Sequence, residues 1–190
     1  MAHTVKRNII LLSLFFIAAK ADCLTDPAVR PDEWDCVKSR YFTIYYKKDA
    51  DLKSVEKRLR RRTFYMAGMQ KPDPLASVDE KIACRLDVLF QRAKQILDMY
   101  PSNMNVRIIV FSTQSELIDE YSAIFRYRDE DIRSFYIFKY DTVYTSEEDI
   151  CDSIMAHEFA HAISDHYFMV PAPEKVKEML ASHVDESLDE

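Results

Sequence analysis

Residues 157–161 read HEFAH, within the stretch MAHEFAHAISDH. Around these polar positions stand Ile150, Ile154, Met155, Phe159, Ala160, Ala162 and Ile163, which surround a helix on most of its sides with apolar groups. Such a helix is buried. Two imidazoles and a carboxylate inside it need polar partners, because an unpaired buried polar group is costly. The fold is therefore constrained to bring a compensating group against this helix.

Positions i and i+4 lie one above the other on a helix face, with Cβ atoms about 5–6 Å apart, so both imidazoles can reach one ion. Glu158 follows His157 directly and sits at the edge of that face. From there it can take a proton from a water whose pKa a bound zinc lowers to about 7. A HExxH site needs a third protein ligand. The extension HExxHxxGxxH is absent, since Ser164 and Tyr167 stand where its glycine and histidine belong. His166 falls on another face, and Asp165, four past His161, is placed to orient an imidazole from behind. The remaining source is the last helix, which a break at Val170-Pro171-Ala172-Pro173 lets fold back. Its acids Glu174, Glu178 and Asp185 share a stripe. Glu174 lies in the first turn, where an acid offsets the helix dipole. Glu178 is mid-helix and followed by small Ala181, which permits close packing, so Glu178 is the expected ligand.

Elsewhere the pattern alternates between strands and helices. Residues 41–47 (YFTIYYK) and the apolar run 106–112 (VRIIVFS) read as strands, the second of them buried. Residues 135–140 and 142–146 read as two short aromatic strands. Helices are expected over 51–63, 77–100, from Ser112 or Thr113 to about Tyr121, from a Ser146 cap answered by Asp149 to Phe168, and from Pro173 to about Ser187. The segment 22–40 reads as irregular. A single glycine disfavours glycine-rich phosphate loops and points to long helices. The arrangement is α+β.

The first 21 residues have the form of an export signal: a basic start at Lys6 and Arg7, an apolar run over 9–19, and Ala19-Lys20-Ala21 as a cleavage signature. Cleavage is expected after Ala21, leaving residues 22–190 as one domain, secreted or periplasmic. An uncleaved anchor is the competing reading, but the run is short for a bilayer span. The whole chain has a formal charge of −6, and removing the signal, which holds three bases and no acid, takes it to −9. That balance argues against nucleic acid or an anionic membrane as partner. The basic run KRLRRR at 57–62 reads as a solvated face. Four cysteines in an exported chain favour disulfides, Cys23 with Cys36 and Cys84 with Cys151, against buried thiols at the last two.

His157-Glu158-Phe159-Ala160-His161 with Glu178-Met179-Leu180-Ala181 downstream resembles the gluzincins, the thermolysin-like (peptidase MA-like) zinc metallopeptidases. The resemblance covers roughly residues 136–185. It implies a zincin-like fold, with a small mixed sheet packed on the HExxH helix and the C-terminal helix supplying the third ligand. It implies one Zn2+ held by His157, His161 and Glu178, with Glu158 as general base and a peptide or protein as substrate. It further implies that strand 142–146 is the sheet edge along which the peptide lies. Two departures stand out: no glycine follows Glu178, and Ser182 occupies the place of the family's aspartate, leaving Asp185 to serve. Tyr144, Tyr167 and His183 are the candidates for a transition-state donor. The expected function is peptide hydrolysis by an exported zinc metallopeptidase. The alternative is a zincin-like partner-binding protein with little or no catalysis.

Overall fold

The structure, a computed structural model, describes residues 32–59 and 73–188. The signal segment, Cys23, the end of the basic run and Gly68 lie outside the described residues.

Five strands form one sheet: β1 (Trp34–Lys38), β2 (Phe42–Lys47), β3 (Val106–Phe111), β4 (Ser134–Ile137) and β5 (Thr142–Ser146), in the order β1-β2-β3-β5-β4. The three inner strands are parallel, while β1 and β4 run antiparallel at the two edges. The helices are α1 (Leu52–Arg58), α2 (Val78–Leu97), α3 (Gln114–Phe125), α4 (Asp152–Tyr167) and α5 (Glu174–Glu186). This is the expected α+β architecture, with HEFAH on α4 and Glu178 on α5.

Strand alternation divides the core into two layers. Phe42, Ile44, Ile108, Val110 and Val143 face α1, α2, α4 and α5. Tyr45, Ile109, Phe111, Phe135 and Tyr144 face the opposite way, toward Trp34 and the α3 residue Leu117. In the first layer Phe159 of α4 stacks on Phe42 of β2 at 4.8 Å and meets Phe90 of α2 edge-on at 5.4 Å. These fully buried rings fix the height and rotation of α4 on the sheet, and thereby the direction in which His157 and His161 point.

Several expectations are corrected. Residues 34–38 are a strand, because five residues of β1 pair with β2 although WDCVK carries little strand pattern of its own. The segment 135–140 is only half strand, since β4 ends at Ile137 and a 3-10 turn follows. Strand β5 is an inner strand, buried at all five positions, so β4 and not Thr142–Ser146 forms the edge. Helix α4 starts later than expected: Ser146 and Asp149 exchange hydrogen bonds that close a turn, and the helix begins after Cys151 without a side-chain cap. Helix α2 opens on the Ser77–Glu80 capping box but stops at Leu97, where Asp98 turns left-handed (φ 50°), before Pro101 is reached. Cys84 and Cys151 are half-buried and not joined to each other, so the second disulfide is absent, and no disulfide joins two described cysteines. The Cys23–Cys36 pairing reaches outside the described residues.

Candidate metal centre

The residues after α4 bring the chain back on itself. Phe168 and the Pro171/Pro173 break end α4, and α5 then packs on it through buried Ala181 and Val184. A salt bridge of 2.6 Å from Lys177 of α5 to Asp165 of α4 fixes the pairing. Both side chains are well covered (16% and 6% exposed), so the contact is screened less than a surface pair. Asp165 was expected behind an imidazole, but its carboxylate is engaged by Lys177. It acts on His161 only through its field.

With α5 so placed, Glu178 faces the two histidines. His157 Nε2 and His161 Nε2 are 3.2 Å apart. Glu178 Oε2 lies 3.5 Å from His157 Nε2, and Glu178 Oε1 lies 3.4 Å from His161 Nε2. Zinc binds nitrogen and carboxylate oxygen at about 2.0–2.2 Å, so two corners of a tetrahedron around it are about 3.4 Å apart. All three separations match that edge. The donor set, two imidazoles and one carboxylate, is also what zinc takes in sites that keep one position open. This is the geometry expected for a single Zn2+. Among the described residues no other group of three such ligands converges, and the alternatives Glu174 and Asp185 are not part of it. Burial, and then the neighbouring His157, hold His161 below the ordinary imidazole range, which keeps a lone pair available.

Glu158 lies beside this trio but deeper, at 5% exposure. Ser134 Oγ, from the edge strand β4, donates to Glu158 Oε1 at 2.5 Å. Burial pushes the Glu158 carboxyl up to about 7, the serine hydrogen bond pulls it down, and nearby Glu178 pushes it up again. A carboxyl placed there exchanges protons near neutrality, as a general base and acid must.

Farther along the same edge, Tyr136 donates to Asp141 at 2.9 Å, and His166 Nε2 meets the same Asp141 oxygen at 2.5 Å. Phe138 packs edge-on against the His166 ring. Burial, then Asp141, raise the Tyr136 hydroxyl well above its ordinary range. His166 thus belongs to a clamp between β4 and α4 and not to the metal group, as its helix face implied.

Of the three donor candidates, Tyr144 is removed by the fold: it stacks on Phe135 in the layer across the sheet from α4. Tyr167 is exposed at the end of α4, against Phe168. His183 shares with Glu178 a solvent-open depression of about 330 Å³ on α5. Sequence reasoning missed Ser134 and Lys177. A serine on a short strand carries no signal of its own, whereas Lys177, next to the proposed ligand and opposite in charge to Asp165, could have been paired with it.

Comparison of the chain with family models, with curated proteins and with solved structures finds no match.

Proposed function

We propose that this gluzincin-like site makes the chain a zinc-dependent peptidase, exported by way of its first 21 residues. The observation that carries the reading is the convergence of His157, His161 and Glu178, from two helices, at the spacing of a tetrahedral zinc site. When bound, the metal supplies an acidified water and polarises a carbonyl. Glu158 takes the proton released there and later returns it to the leaving amine. A peptide substrate lies extended along β4, whose outer edge is the nearest strand edge to Glu158 through Ser134. No described helix is long and apolar enough to cross a membrane.

One observation favours the second reading, a partner-binding protein with little catalysis: Glu158 is nearly enclosed. Zinc analysis of the purified chain together with cleavage of a broad peptide library separates the two. Stoichiometric zinc with turnover supports the peptidase. Zinc without turnover supports the scaffold, and the lack of any bound metal overturns both.

A further inference from the structure

We propose that Ser134 is a positioning residue, holding the Glu158 carboxylate from the edge strand through both halves of its proton transfer. The inference deepens the peptidase reading and rests on it.

Side chains along β4 alternate between the two faces of the sheet. Phe135 faces the aromatic layer, so Ser134 and Tyr136 on either side of it face α4. Ser134 thereby reaches Glu158, an acid on α4 buried beside the metal group, and its hydroxyl takes Oε1 of that carboxylate at 2.5 Å. The other carboxylate oxygen is left to serve water. A hydroxyl has one donor and two acceptor sites. While Glu158 is ionised, Ser134 donates to it. Once Glu158 has taken a proton from water, the serine oxygen can accept from the new carboxylic acid. The serine proton itself is never transferred, so a single proton passes from water to Glu158 to the amine. Neither an alanine nor a backbone N–H could remain a partner in both states. The clamp formed by Tyr136, Asp141 and His166 holds the same strand to the same helix two residues on, which keeps Ser134 in register.

Two measurements test this on the full chain. In the zinc-loaded enzyme, Ser134→Ala should lower kcat about tenfold or more with KM and zinc content unchanged. Ser134→Thr, which keeps the hydroxyl, should restore most of it. In metal-free protein, Ser134→Ala should lower Tm by about 3–6 °C. That shift should shrink severalfold when Glu158 is already alanine. An equal shift in both backgrounds means Ser134 does not act through Glu158 and overturns the proposal. So does a kcat within twofold of the unmodified enzyme, or a failure of threonine to rescue. Absence of hydrolysis by the unmodified chain would overturn the peptidase reading and this proposal with it. If turnover is intact and only the Ser134 effects are missing, the peptidase reading survives alone.

Discussion

Helices α2 and α4 lie on the same layer of the core, and each buries a charged group, yet they treat it differently. On α2, Arg85 is 4% exposed and is met at once: one guanidinium nitrogen donates to the Glu56 carbonyl at 2.8 Å and the other to the Glu56 carboxylate at 3.0 Å. The helix is also closed by a capping box. On α4 the helix start has no side-chain cap, and Glu158, equally buried, is met by a neutral hydroxyl. Beside it two imidazole nitrogens face each other at 3.2 Å, with Glu178 across from them. A charge buried for architecture is neutralised where it stands. Beside Glu158, by contrast, two imidazoles and a carboxylate converge on a space that a single cation fits.

That contrast can be broken at several points. The largest effect is expected for Glu158→Gln, which should lower kcat about 10²–10⁴-fold while zinc stays stoichiometric. Unchanged hydrolysis would remove Glu158 from the chemistry. Next, Glu178→Ala should weaken zinc affinity by about 100-fold or more, read by competition with a metallochromic indicator. Full retention would move the third ligand to Glu174 or Asp185. On the other helix, Glu56→Ala leaves Arg85 buried and should cost about 3–5 kcal/mol in urea unfolding, with zinc binding intact. A loss below about 1 kcal/mol would mean that α2 does not depend on this pairing.

The smallest effect is a slope with pH. In metal-free protein the folded state keeps a proton on Glu158 up to about 7, whereas the unfolded chain releases it near 4.5. The stability this gives is fully present below about 4.5 and lost as pH rises to 7. His161, held low, works in the opposite sense and weakens the fold as pH falls. Glu158→Gln removes only the first contribution. The Tm of the unmodified protein minus that of the variant should therefore decline from pH 4.5 to 7, and a flat difference would contradict the burial assigned to Glu158.

The metal face was legible because its information is local. Helical period places His157 over His161, and the proline break followed by a carboxylate and a small residue marks Glu178. Strands β2 and β3 were legible for the same reason. What escaped is non-local. WDCVK becomes a strand only through its pairing with β2. That β5 is inner and β4 is the edge depends on strand order, which no window of sequence contains. Ser134 gains its meaning from an acid 24 residues away. The start of α4 is hidden from the sequence because Ser146 and Asp149 use their hydrogen bonds on a turn that mimics a helix cap.

The docking of α5 has a consequence for how the protein handles its metal. Its grip on α4 comes from Ala181, Val184 and the Lys177–Asp165 bridge, none of which coordinates anything. The chain is therefore expected to fold before it loads metal, unlike a zinc finger, whose chain collapses only around its ion. A chelator should strip and silence the centre while far-ultraviolet dichroism stays constant, and adding the metal back should revive it without refolding.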